Sequence, residues 1–252
     1  MLFKFRCTHQ PTPHGADKTF AHASAPLSAG GIRQQFSLPA NIELSLYGLQ
    51  FLRELSSSLR LPNEEPPDVQ FKEQGYLFLA SEQGVATLRH NHETQSAQGI
   101  SWLTLLEPEA LHARFPWLNV EGVGLGCLGE RGEGWFDPWV LLGALRAKSE
   151  HLGVHFRSGS VQGFSCERTD HVSDGAMARI SAVHVSGLPG EPSASLRAGT
   201  VVNAAGAFAA DVVSMVAAAA GAPGCAQSIA PLPVEARRRC IFSVRCGDSD
   251  GV

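Results

Sequence analysis

Apolar residues recur at Leu44, Leu46, Leu49, Leu52, Leu55 and Leu59. That spacing is close to the helical period and predicts an amphipathic helix over residues 42–59. Residues 61–68 hold three prolines and three acids and read as a surface connection. The apolar run at 75–80 follows a glycine and reads as a buried strand. A polar helix is expected over 82–98, with the Ser81 hydroxyl placed to accept from its first turn. Residues 102–105 and 123–128 read as strands, and between them Pro108 opens a helix that Pro116 ends. Asp137 and Pro138 mark another helix start, with Trp139, Leu142, Leu145 and Leu152 as its apolar face and Gly153 as its stop.

Beyond Gly153 the pattern predicts a strand at 154–156, then strands at 160–166 and 178–186 flanking a polar turn, which resembles a β-meander. Residues 200–204 read as a buried apolar strand. Gly206 then turns the chain into an alanine-rich helix at 207–220, closed by Pro223 and Gly224. Residues 234–244 alternate and read as a strand. Residues 1–26, interrupted by Pro11, Pro13, Gly15 and Pro26, read as an irregular, disordered start.

The chain has 252 residues, 44% of them hydrophobic and 17% charged, so it can bury a substantial core. The net charge is −4 and there is no long basic run, which argues against nucleic-acid binding. No stretch reaches the roughly 18–20 apolar residues that cross a bilayer, so no transmembrane span is expected. The six cysteines show neither C-x-x-C nor zinc spacing and read as reduced thiols of an intracellular compartment. His151 and His155 are separated by a helix-stopping glycine, and His90 and His92 lie two apart, so no metal site is expected.

Two segments have the character of a cofactor site. Ser28, Ala29, Gly30, Gly31, Ile32, Arg33 and Gln34 form a small-residue turn whose backbone N–H groups could approach an anionic ligand. The same stretch also reads as a plain loop before a helix. Residues 201–207 run from an apolar strand through Ala204, Ala205 and Gly206 into a helix, the geometry of a ligand-bearing strand end in a nucleotide-binding sheet. Tight helix–strand packing without a ligand reads equally well there. Asp137 reads as a helix cap and not as a catalytic carboxylate. Neither a G-x-S-x-G nor a P-loop occurs.

In this order and spacing, from about Asp17 to Arg245, the segments resemble the D-amino-acid oxidase and sarcosine oxidase superfamily of flavoproteins. The resemblance rests on residues 31–39 (GIRQQFSLP), 115–117 (FPW), 133–139 (EGWFDPW), 203–206 (NAAG) and 232–237 (LPVEAR). These strings look close to those of a mitochondrial member implicated in assembly of respiratory complex I. The resemblance implies a mixed α/β (α+β) fold, in which a partial FAD-binding Rossmann-like domain (27–70 and 135–228) interleaves with a partial antiparallel substrate-side sheet (71–134 and 229–252). It implies FAD as cofactor, with Ser28, Gly30, Gly31, Ile32, Arg33 and Gln34 against the flavin and pyrophosphate. Val161 would meet the adenine through its backbone, and Ala204, Ala205 and Gly206 would pass close to the dinucleotide. It further implies an oxidoreductase, a mitochondrial location, and respiratory complex I subunits or assembly intermediates as partners.

The sequence departs from the family at its start. Members open with a strand, a G-x-G-x-x-G turn and, one strand later, an acidic residue for the ribose. Here Gly15 falls about where that acid is expected. The chain therefore reads as a middle section of a longer protein. No catalytic acid or base is assigned. Two alternatives stay open: a non-catalytic assembly or interaction factor with FAD as a structural ligand, and an incomplete chain that binds no FAD.

Overall fold

A computed structural model describes residues 23–169, 177–187, 192–221, 228–237 and 240–242. One compact unit spans Ala23–Leu152; the other takes in the described residues from Gly153 onward. The fold is mixed α/β, and every strand pairing among the described residues is antiparallel.

The first unit begins with a two-residue strand β1 (Gly31–Ile32) and a 20-residue helix α1 (Pro39–Ser58). Pro39 suits the start of α1, where a missing N–H costs nothing. Its buried residues Leu49, Leu52 and Leu55 fall on the predicted stripe, as does Leu59 just beyond its end; Ile42 is buried as well, whereas Leu44 of the predicted stripe is 69% exposed. Strand β2 (Tyr76–Ser81), helix α2 (Val85–Ala97), strand β3 (Leu103–Leu106), helix α3 (Pro108–Arg114) and strand β4 (Val123–Gly129) follow. The three strands form a sheet in the order β2-β4-β3, registered so that Phe78 and Leu105 both oppose Cys127. Strand β4 is buried from Gly124 to Gly129. Its glycines let neighbours lie directly on it: a Cβ at Gly126 would stand 2.7 Å from Leu111 of α3, and one at Gly129 would stand 2.1 Å from a Glu133 carboxylate oxygen. Ser81 makes no side-chain cap, because a 3-10 turn at Glu82–Gly84 precedes α2.

Strand β5 (Gly134–Trp135) pairs with β1, and helix α4 (Pro138–His151) closes the unit. Asp137 caps α4 as expected: one carboxylate oxygen accepts from Trp139 N–H (2.8 Å) and Val140 N–H (3.1 Å). The face of α4 that packs on the core is partly buried and is not the predicted one. Val140, Leu141 and Ala144 pack on Leu52, Leu55 and Leu59, while Trp139, Leu145 and Leu152 are exposed. The apolar sequence of α4 is compatible with more than one stripe, and packing against α1 selects among them.

The second unit is a three-stranded meander, β6 (Ser160–Thr169), β7 (Met177–Ser186) and β8 (Ala194–Arg197), with helix α5 (Ala209–Ala220) on one face. Val161, Phe164, Val183, Val185 and Val212 form its core. The short, polar β8 leaves no clear sequence signature. Three predicted strands are not strands here. Residues 154–156 and 200–204 are irregular, as are the described residues of the predicted 234–244 strand; Pro223 and Gly224 lie outside the described residues. Val202 is 81% exposed. An apolar run becomes a strand only when a ladder partner takes its N–H and C=O groups, and none of these segments pairs with a described strand.

Replacing Asp137 by Ala removes two accepted hydrogen bonds at the α4 start. Urea unfolding should show a loss of about 1 kcal/mol, whereas an unchanged midpoint would remove the cap from this account.

Candidate functional site

The segment from Ser28 to Phe36 is mostly irregular backbone, held by side chains. Its entry is set by Ser28, whose hydroxyl donates to Ala25 C=O (2.7 Å) and accepts from Gly30 N–H (3.1 Å). Gly30 has φ +62°, and a Cβ there would stand 2.0 Å from the Phe136 carbonyl oxygen. At Gly31 a Cβ would meet the Tyr76 hydroxyl at 2.7 Å. Both glycines therefore answer to protein atoms at these positions. Ile32 packs against the Leu52–Leu55–Leu59 core.

Four buried polar side chains occur among the described residues: Gln34, Gln35, Gln95 and Glu133. All four converge on this segment. Glu133, fully buried, accepts from Gln34 N–H (2.7 Å) with one oxygen and from the Gln35 side-chain amide (2.7 Å) with the other. The Gln34 side chain donates to Gly132 C=O (3.1 Å), that of Gln35 to Tyr76 C=O (3.1 Å), and that of Gln95 to Phe36 C=O (3.0 Å). Ser45 of α1 donates to Arg33 C=O. The loop carrying Glu133 is fixed in turn by Glu73, which accepts from Gly132 N–H (3.1 Å) and pairs with Arg53 (2.7 Å). The Arg53 guanidinium and the Gly132 N–H hold the Glu73 carboxyl below its ordinary value.

Arg33 points into an aromatic cage. Its guanidinium carbon lies 4.8 Å from the Phe36 ring centre, 5.1 Å from Phe78 and 5.5 Å from Tyr76, within cation–π range of each. Its Nε is buried without a protein partner, as are Gln34 Oε1, Gln35 Oε1 and Trp102 Nε1. Arg33 forms no ion pair among the described residues. The site thus presents a half-buried, permanently charged cation, with Glu133 acting on it through space and not through a salt bridge.

Burial pushes the Glu133 carboxyl above its ordinary range, against the donated hydrogen bonds of Gln35 and Gln34 and the charge of Arg33. Cys127 is pushed up to about 11 by burial and then by the Glu133 charge. Its thiol stays protonated at neutral pH and acts as a small core residue.

The second group of expected cofactor residues lies in the other unit. The Val161 side chain is in the meander core, and Ala205 packs against that core. Ala204 and Gly206 are exposed. Asn203 shapes this turn by accepting from Ala205 N–H (3.2 Å) and donating to Ala209 C=O (2.9 Å). Gly206 has φ +58°, with no atom of the described residues within 4 Å of the position a Cβ would take. Sequence reasoning missed Glu133, Gln35, Gln95 and the ring cage. The one local signal was a carboxylate set between Gly132 and Gly134 beside a buried glycine-rich run. Among the described residues, no three His, Cys, Asp or Glu side chains form a metal cluster, and no helix is long and apolar enough to cross a membrane.

The raised value of Glu133 fixes a sign. Protonation is favoured in the folded chain, so its contribution to stability is present below the ordinary carboxylate range and is lost as pH rises through the raised value. Urea unfolding between about pH 4 and pH 8 should show wild type losing stability relative to Glu133→Gln as pH rises. A difference independent of pH would contradict the assignment.

A family model described as FAD dependent oxidoreductase matches residues 15–250. FAD-dependent oxidoreductase domain-containing protein 1 of Bos taurus is 40% identical over 241 residues, covering 94% of this chain and 49% of that protein. Its homolog in Drosophila melanogaster is 35% identical over 236 residues, covering 90% and 44%. The chain thus spans about half the length of these relatives. L-proline dehydrogenase from P. horikoshii superposes with a TM-score of 0.57 at 25% identity, covering 76% of this chain and 45% of that one. Glycine oxidase from Geobacillus kaustophilus superposes with a TM-score of 0.55 at 20% identity, covering 84% and 50%, a likeness of fold alone. With a family match across nearly its whole length and relatives at this identity, the chain belongs to the family of FAD-dependent oxidoreductases.

Proposed function

We propose that this chain is part of a flavoenzyme that removes a hydride equivalent from a C–H bond beside an amine nitrogen. The observation that carries the reading is the family match over residues 15–250. Two features fit a dinucleotide. At Gly206 the space a side chain would fill is open, and the 3-10 turn Gly206–Phe208 that leads into α5 has no side-chain cap: the Phe208 and Ala209 N–H groups are taken by the Ala205 and Gly206 carbonyls, while those of Gly206 and Ala207 have no partner among the described residues and can face a phosphate. At Arg33 a caged cation forms no ion pair among the described residues.

In this reading Ser28, Gly30, Gly31, Ile32 and Arg33 lie along the flavin and pyrophosphate, and Ala204, Ala205 and Gly206 lie along the dinucleotide. The Val161 side chain is committed to the core, so only its backbone remains for the adenine. Gln34 is likewise committed, with its N–H on Glu133 and its amide on Gly132, and serves as framework. Bound FAD would supply the electron-accepting chemistry; the chain supplies position and charge. The resemblance of residues 31–39 and 133–139 to a mitochondrial complex I assembly protein supports a mitochondrial location, with complex I subunits or assembly intermediates as partners.

The protein carrying this sequence, purified at full length, should show a flavin absorbance spectrum that bleaches anaerobically with a secondary or α-amine substrate. Bound flavin with no reduction by any amine would make FAD a structural ligand and overturn the catalytic reading. Gly206→Leu should weaken FAD binding at least about tenfold, the loss of one good contact, while thermal stability falls by only about 1 kcal/mol for the positive φ. Unchanged FAD affinity would remove Gly206 from the site.

A further inference from the structure

A separate feature lies on the meander of the second unit. Ser165, Ala182 and Arg197 form one row across β6, β7 and β8. Each follows or precedes a core residue (Phe164, Val183 and Leu196), so strand alternation places the row on the face away from α5. Glu167 and Arg179 form a neighbouring row. A cavity of about 520 Å³ lies over these rows, lined by Ser165, Glu167, Arg179, Ser181, Arg197 and Gly199 among others.

The donors in this cavity are unequal. The Ser181 hydroxyl donates to Ser165 C=O (3.3 Å), and the Ser165 hydroxyl is paired with His184 Nε2 (2.7 Å). Among the described residues neither guanidinium group has an ion pair or a hydrogen bond. Glu167 stands directly across the ladder from Arg179, yet the two form no ion pair. Arg179 instead extends to the end of β8, where its Nη2 would stand 3.8 Å from a Cβ on Gly199, two residues from Arg197. Two cations thus face one concave site, and the glycine leaves backbone open beside them. Their mutual repulsion is relieved by an anion between them. One guanidinium fork already matches a two-oxygen carboxylate, whereas two forks on adjacent strands match the three oxygens of a phosphate.

We propose that Arg179 and Arg197 form a binding site for the phosphate group of a small molecule, on the face of the meander away from α5. Inorganic phosphate titrated into the chain at ionic strength held constant with KCl, followed by calorimetry, should bind saturably at one site. Arg179→Ala and Arg197→Ala should each weaken it by about tenfold, the loss of a charge-assisted pair. Both side chains are exposed, and circular dichroism checks that each variant keeps its fold. Glu167→Gln gives an independent gain-of-affinity test, because it removes the one carboxylate in the lining, and binding should tighten. Methyl phosphate should displace phosphate, and acetate at equal concentration should not. Absence of saturable binding, indifference to both arginine variants, or displacement by acetate as effective as by methyl phosphate would each overturn the proposal.

Discussion

Glu133 accepts hydrogen bonds from Gln34 and Gln35 across 99 and 98 residues of chain. The site in the first unit depends on that join. Between Gly30 and α1 the main chain is tied by the two-residue pairing of β1 with β5, the Phe136 N–H that donates to Gly30 C=O and a local Phe36 N–H to Gln34 C=O bond, too little to hold it in one place. Side chains do the rest. Glu133 fixes the amide of Gln34 and the side chain of Gln35, Gln95 fixes the Phe36 carbonyl, and Ser45 fixes that of Arg33. A buried carboxylate is costly to desolvate, and several N–H donors offset much of that cost. The arrangement also limits its neighbours: Gly129 has no room for a side chain beside Glu133, and Gly132 is held by Glu73.

This framework sets where Arg33 points. Its main chain is pinned on both sides, so its side chain lies over Phe36 of the same segment and over Tyr76 and Phe78 of β2. The rings hold the guanidinium without neutralising it. A cation arranged in this way is available to an electron-rich or anionic group, in keeping with the FAD-dependent oxidoreductase family to which the chain belongs.

Much of the fold was legible in the sequence, for local reasons. Proline and aspartate at helix starts, the leucine stripe of α1, and glycine-bounded apolar runs marked α1, α3, α4, β2 and β4 to within a few residues. What failed depended on partners. The face of α4 that packs on the core differed from the predicted one, because α1 selects Val140 and Leu141. Residues 200–204 have strand composition but no described strand beside them. The site divides in the same way. Gly30, Gly31 and Gly206 were visible as special positions, but the reason differs among them. The first two make room for Phe136 and Tyr76, and the third faces open space. Glu133 was hidden because its partners are nearly a hundred residues away, and no local pattern encodes that distance.

The central claim is that Glu133 orders the segment that carries Arg33. Amide hydrogen exchange tests it directly, since the Gln34 N–H is buried and bonded to that carboxylate. In wild type the Gln34 amide should exchange as slowly as the core amides of β4. In Glu133→Ala it should exchange orders of magnitude faster, with β4 still protected. Equal protection of Gln34 in the two proteins would contradict the account.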